Sequence, residues 1–364
     1  MFRRILAGIE RILRLGGEPL EIARRESVGN IGDHGMNLHR AGYFLARNGT
    51  FIGCILLVLF FYSSNSNFLS FVNLRNIGEA LSALGVISIP LALLVIAGAV
   101  DLSVGSVASL SGVVAATVMI GTGSAVLGIL AGLAVGLVAG IINGLLVSYY
   151  KFNSIVITLG ALSVWGGLAL HLTGGRTVVG LPASFTDLSL IRFAGIPLEV
   201  FILIGAVIYG AVALGVLPYG RKLRAVGSSN RAAFLMGLPV ERVQFLMFVQ
   251  VGVASSLAGI ILASKLAAAT PITGQGLEIN ALTVVLLGGV AFTGGVGRIS
   301  GVLAGLFFVG ILRNGLIFMN TSQFLQQVLI GLTLIVAIMF DETIRKFARK
   351  EWEEPAVPAT VPTK

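Results

Sequence analysis

The chain has 364 residues, 25 of them Lys or Arg and 16 Asp or Glu, so 11% are charged and 56% hydrophobic, where soluble domains carry about 25% charged residues. With a mean hydropathy of +0.96, an ordinary soluble globular protein is excluded. The net charge of +9 flanks apolar stretches, which points to membrane orientation, with lipid as partner and no nucleic acid, and the single cysteine, Cys54, excludes an intramolecular disulfide framework.

Eight arginines and five acids crowd residues 1–47. Ile5, Leu6, Ile9, Ile12 and Leu13 fall at helical spacing opposite Arg3, Arg4, Arg11 and Arg14, so this basic cytoplasmic segment reads as an amphipathic helix on anionic lipid or as a basic tail. No secretory signal is visible. A spanning helix needs about 20 mostly apolar residues. Charge-free runs at 48–74, 80–100, 152–175, 200–220, 243–264 and 279–297 each supply one. Residues 102–150 supply two, divided at the turn signal of residues 121–124, and residues 299–340 supply two more, interrupted by Arg313. The expected fold is all-α, a polytopic membrane protein with about ten transmembrane helices, its transmembrane domain covering residues 48–342. Residues 343–364 end in a Pro-rich polar stretch with no packed core to join.

Charge parity agrees with an even number of spans, because cytoplasmic segments attract Lys and Arg. With both termini inside, 20 Lys and Arg fall on the cytoplasmic side and five outside: Arg75, Arg176, Arg192, Lys265 and Arg313. The run Gly140-Ile141-Ile142-Asn143-Gly144-Leu145 resembles Gly310-Ile311-Leu312-Arg313-Asn314-Gly315-Leu316, and Asp101 precedes the first as Glu278 precedes the second. Five helices per copy would invert the second copy, giving an inverted 5+5 repeat.

Intramembrane polar residues are the functional candidates. Asp101, with Ser103 beside it, follows a long charge-free run and is flanked by Gly98 and Gly105, so it either contacts a solute or caps a broken helix. Asn143, Thr158 and Asn314 lie inside spans, suited to a hydroxyl-rich solute or to bonds between helices. Glu278 and Asn280 follow Thr273-Gly274-Gln275-Gly276 on the expected outer side, as a gate, as partners of Lys265 or as solvated groups. His34, His39 and His171 are isolated, with no metal-ligand spacing, and no catalytic pair stands at a diagnostic distance. The only long hydrophilic inside loop, residues 218–243, carries Ala232, Ala233, Leu235 and Leu238 on one face, as a short helix docking to a cytoplasmic partner would.

Over residues 70–342 the chain resembles the permease subunits of ribose/xylose-type sugar ABC importers. The resemblance rests on linked motifs: Ala99-Val100-Asp101-Leu102-Ser103-Val104-Gly105, Asn143-Gly144-Leu145, Ile157-Thr158-Leu159-Gly160, Gly220-Arg221, Ala225 to Ala233 with Gly237, Gly274 to Glu278, Gly288-Gly289, Gly294 to Arg298 and Asn314-Gly315. It implies that Arg221, Asn230, Arg231, Ala232, Ala233 and Gly237 belong to a loop that couples the chain to an ATP-binding cassette ATPase subunit. It also implies a periplasmic sugar-binding protein, a second permease subunit, and a place in the bacterial inner membrane. Two departures stand out: Asn230 and Arg231 replace the usual Glu before the paired alanines, and Asn153-Ser154 replaces the usual proline. No G-x-x-x-x-G-K-[ST] phosphate loop occurs in the sequence, so no cofactor is expected here and ATP would be bound by the partner. An ion-coupled secondary transporter is the alternative, and an intramembrane enzyme a more remote one.

Overall fold

The structure, a computed structural model, describes residues 33–336 and residue 339, with side chains from residue 49 onward. Two compact units divide the chain, Met1–Gly49 and Thr50–Lys364. The amphipathic segment expected near residues 5–13 and the tail expected from residue 343 lie outside the described residues.

The described chain is almost wholly helical. Its helices are α1 (Asp33–Ser64), α2 (Phe71–Ile96), α3 (Val104–Thr122) and α4 (Ala125–Gly144), which runs on through a π-helical turn, Leu145–Tyr149. Next come α5 (Ser154–Thr173), α6 (Leu198–Gly215), α7 (Pro218–Ser228) and α8 (Asn230–Leu235). The last four are α9 (Val240–Leu266), α10 (Leu277–Leu287), α11 (Ile299–Phe318) and α12 (Gln323–Val336). A two-residue hairpin, β1 (Arg192–Phe193) with β2 (Ile196–Pro197), precedes α6.

Among the described residues seven helices are long and apolar enough to cross a membrane: α2, α3, α4 with its π turn, α5, α6, α9 and α11. The chain is therefore a polytopic helical membrane protein. The other three apolar segments form shorter helices, Gly49–Ser64 within α1, α10 and α12. The expectation of one full span over residues 279–297 is corrected. The helix stops at Leu287 after 11 residues, a length of about 16 Å, because Gly289, Gly294 and Gly295 take left-handed φ values of 72°, 87° and 78° that no helix continues through. In α11 the opposite holds: the helix runs straight through exposed Arg313 to Phe318.

Sequence signals account for the helix ends. Gly123, at φ 71°, ends α3, and the Ser124 hydroxyl accepts from Leu127 N at 3.3 Å to start α4. Asn153, at the place where the resembled family has proline, starts α5 in another way: its Oδ1 accepts from Ile155 N at 2.9 Å and Val156 N at 3.3 Å. That departure therefore preserves the helix start.

Lipid offers no hydrophobic drive for helices to associate, so close approach of small residues and interhelical hydrogen bonds hold such bundles. α4 carries Gly128, Gly132, Gly136, Gly140 and Gly144, one every fourth residue and all buried, on a single face of the helix. They meet Met119, Ala115 and Ser111 of α3, then Gly252, Phe248 and Phe245 of α9. A Cβ at Gly140 would stand 2.7 Å from Phe248 O and 2.8 Å from Val249 Cα, backbone atoms that cannot swing aside. Gly140→Leu is thus expected to cost about 3 kcal/mol and to lower the melting temperature in detergent. Gly160→Leu on α5, where nothing lies within 4 Å of the added Cβ, should leave it unchanged. Scanning fluorimetry of both variants checks the pair.

Around this seam α2 is the most enclosed helix, with 89% of its apolar window buried against 11% for α5. Ion pairs gather at its N-terminal end. Glu79 meets Arg75 at 3.6 Å, Arg192 at 3.4 Å and Lys265 at 3.8 Å, and Lys265 also meets Glu199 at 3.4 Å. Three of the five cations assigned to the outer side from sequence thus converge there. Lys265 pairs with Glu79 and Glu199, so of the alternatives for Glu278 the pairing with Lys265 is not the one seen.

Candidate translocation and coupling sites

α2 ends at Ile96 and α3 begins at Val104, leaving residues 97–103 as a break in the helical core. Gly98, at φ 85°, turns the chain. Asp101, 2% exposed, fills the break. Its Oδ1 accepts from Ser103 N at 2.8 Å and from the Ser103 hydroxyl at 2.6 Å, groups freed where the helix restarts. Asn143, from the last turn of α4, donates through Nδ2 to Asp101 Oδ2 at 3.3 Å and to Ser103 Oγ at 2.9 Å. Its own Oδ1 is buried without a partner.

Asp101, Ser103 and Asn143 are therefore one cluster. Glu278 stands next to the chain that follows this cluster: its Oε2 sits beside Gly105 in the first turn of α3, and its Oε1 accepts from Gly276 N at 3.1 Å. Gly274 N donates to Ser109 Oγ of α3 at 2.8 Å. The segment before α10 thus folds back onto α3, and half-buried Asn280 follows one turn on. The other candidates stand apart. The buried Thr158 hydroxyl donates to Ser154 O in its own helix at 2.8 Å. Asn314 exchanges two amide hydrogen bonds with Asn73 of α2, at 2.9 and 3.0 Å. The two copies of the suspected repeat diverge here: Asn143 serves a carboxylate, and its counterpart Asn314 serves an amide.

The loop of residues 218–243 folds as α7 and α8. Extended Ser229 separates them, its hydroxyl accepting from Ala232 N at 3.2 Å. The Tyr219 hydroxyl of α7 donates to Val243 O at 3.5 Å, and burial pushes this phenol up so that it stays a donor. Ala233 is fully buried, whereas Arg221, Asn230, Arg231 and Ala232 are exposed. Beyond them Phe234, Leu235 and Met236 are 62%, 76% and 68% exposed. Gly237, at φ 77°, turns the chain after them, and Leu238 N donates to Ala233 O at 3.0 Å to close the helix end. The sequence pattern put Leu235 and Ala233 on one face; the structure separates them, one outward and one in.

Gly227 of α7 lies directly on the end of α2, where a Cβ would strike Ile96 O, and Gly295 N donates to that same Ile96 O at 2.8 Å. Below α8 a cavity of about 540 Å³ is lined by Gly98, Lys151, Ser154, Asn230, Arg231 and Gln244, among others. Lys151 closes one wall through an ion pair with Glu241 at 2.7 Å. Sequence reasoning missed Gln244 and Ser154. Their signal was polarity: Gln244 is one of two amides, with Gln250, in the charge-free stretch 243–264, and Ser154 opens α5. No group of three or more His, Cys, Asp or Glu able to hold a metal ion comes together among the described residues.

Residues 73–338 match the family described as branched-chain amino acid transport system / permease component. Curated relatives cover most of the chain. The L-arabinose transport system permease protein AraH of Escherichia coli (strain K12) is 35% identical over 82% of this chain and 89% of its own. The ribose import permease protein RbsC of Bacillus subtilis (strain 168) is 35% identical over 80% of this chain and 92% of its own. The D-allose transport system permease protein AlsC of Escherichia coli (strain K12) is 32% identical over 83% of this chain and 94% of its own. No solved structure matches.

Proposed function

Since the chain belongs to the family of branched-chain amino acid transport system permease components, we propose that it is the membrane-spanning subunit of an ATP-driven importer whose substrate is a sugar or sugar-like polyol. The family description names amino acids, but the curated relatives described above are permeases for arabinose, ribose and allose, and the sugar reading follows them. A neutral, hydroxyl-rich solute also suits a polar core whose Asp101 carboxylate is already engaged by Ser103 and Asn143.

The observation that carries the coupling part is the exposed apolar trio Phe234, Leu235 and Met236 at the end of α8, a short helix that directly follows α7, whose Gly227 rests on the end of α2. Exposed apolar clusters rimmed by polar residues mark docking sites, and the rim here holds Asn230, Arg231 and Gly237. The partner is an ATP-binding cassette ATPase subunit. A periplasmic binding protein delivers substrate, and a second permease subunit completes the pathway. The topology proposed is ten helices, the seven long ones with Gly49–Ser64, α10 and α12, both termini cytoplasmic, in an inverted 5+5 arrangement. The distribution of 20 Lys and Arg inside against five outside supports that direction. It places the Glu79 ion pairs outside and the Lys151–Glu241 pair inside.

Uptake of labelled arabinose, ribose and allose into proteoliposomes tests the reading. Uptake is expected only with the ATPase subunit, ATP and the binding protein together. Uptake by this chain alone down an imposed ion gradient would favour a secondary transporter.

A further inference from the structure

We propose that Gln244 is the positioning residue through which movement of α8 reaches the helix break at residues 97–103. The assignment rests on the reading of α8 as the ATPase-docking helix and adds the contact that would carry its motion inward.

Where α2 stops, its last carbonyls lose their intrahelical donors, and in a membrane each must find another partner. Two are satisfied from outside the helix. Ile96 O accepts from Gly295 N at 2.8 Å, and Ala97 O accepts from Gln244 Nε2 at 3.1 Å. A third group of the break, Val100 N, donates to Ser154 Oγ at 3.4 Å. Of these three side-chain and backbone partners, Gln244 is the one that also bonds to α8: Nε2 donates to Asn230 Oδ1 at 3.5 Å. One amide nitrogen with two N–H groups therefore bridges the first residue of α8 and the last carbonyl before Gly98. Gly98, at φ 85°, lets the chain pivot at the next residue. Gln244 is itself 6% exposed, one turn inside α9 and on the wall of the cavity beneath α8. Asn230 stands where the resembled family has other chemistry, and here its side chain supplies the acceptor.

The shift is transmitted as a hydrogen-bonded displacement: when α8 moves, Asn230 draws or releases Gln244, and Ala97 O moves with it. Four residues beyond Ala97, the same segment carries Asp101. An amide suits this task because an apolar side chain would leave Ala97 O unsatisfied, and a carboxylate would repel both oxygens.

The test uses the complete complex with its ATPase subunit and binding protein in proteoliposomes, with Gln244→Leu and Gln244→Glu. The readout is substrate molecules transported per ATP hydrolysed. Both variants are expected to assemble with the ATPase subunit and to hydrolyse ATP, while transport per ATP falls about tenfold, a typical size for coupling between sites. Unchanged transport per ATP in the variants would overturn the assignment, as would uptake and hydrolysis falling in proportion or failure of both variants to assemble, since either marks a purely structural residue. If wild-type uptake proceeds without the ATPase subunit, the importer reading fails first, and that result is separate from any effect of the variants.

Discussion

Replacement of Asp101 by leucine is expected to abolish uptake and to leave little folded protein. The carboxylate is 2% exposed and accepts three hydrogen bonds, from Ser103 N, the Ser103 hydroxyl and Asn143 Nδ2. Leucine would strand Ser103 N, while the Ser103 hydroxyl and Asn143 amide, still 2.9 Å apart, would each lose an acceptor. At about 1–3 kcal/mol for each buried polar group left unpaired, the loss amounts to roughly 3–5 kcal/mol, comparable with the whole stability of many proteins. Asp101→Asn separates structure from transport. Its Oδ1 still accepts from both Ser103 donors, and only the contact with Asn143 is set donor against donor. The asparagine variant should therefore fold at near-normal yield and keep most of its uptake. Fluorescence-detected size exclusion with uptake on the same preparations checks both variants. An asparagine variant that folds normally and transports nothing would move Asp101 from helix cap to substrate contact.

The second large effect concerns docking. Leu235 is 76% exposed and stands between two other exposed apolar side chains. Buried in a partner's groove, such a side chain contributes about 2 kcal/mol or more, and a carboxylate in its place would also be desolvated. Leu235→Asp should therefore cost about 4 kcal/mol, near a thousandfold in affinity for the ATPase subunit. The permease itself should keep its melting temperature, because Leu235 supports nothing inside the fold. Gly237→Asp should act more weakly and by another route: a left-handed φ of 77° costs a side-chain-bearing residue about 1–2 kcal/mol and shifts the aim of the trio. Co-purification of the tagged ATPase subunit ranks the two variants.

Much of the architecture was legible in residue type and spacing. Charge-free runs located the apolar helices because hydrocarbon tolerates few charges, and Gly123 with Ser124 marked the turn between α3 and α4. What hydropathy could not show was the path of backbone that is apolar but not helical. Residues 288–297 count as membrane-compatible by composition, yet their left-handed glycines make a turn that places Gly294 and Gly295 against Gly98 and Gly227. Nor could hydropathy show the position of Glu278 beside Gly105, which depends on residues 274–278 folding back onto α3 and which no periodicity encodes. Asn143 and Asn314 looked equivalent in their glycine-flanked motifs. Both flanking pairs do take close contacts, Gly140 and Gly144 on α9, and Gly310 and Gly315 on Leu81 and Phe61. The polar member of each motif was free to diverge because its partner comes from a distant part of the chain, the break at residues 97–103 for Asn143 and α2 for Asn314. Gln244 escaped notice because an amide in an apolar helix, here one of two with Gln250, gains meaning only from the carbonyl that it faces.

The account stands on α8 meeting the ATPase subunit at the inner face, and one cross-linking experiment reaches that directly. Cys54 donates to Ala304 O at 3.3 Å, a bond that serine keeps, so Cys54→Ser provides a cysteine-free background for Leu235→Cys carrying a photoreactive maleimide. Illumination of the assembled complex in inverted membrane vesicles should join the permease to its ATPase subunit. Labelling of that cysteine by an impermeant reagent from the outer face alone, with no ATPase adduct, would contradict it.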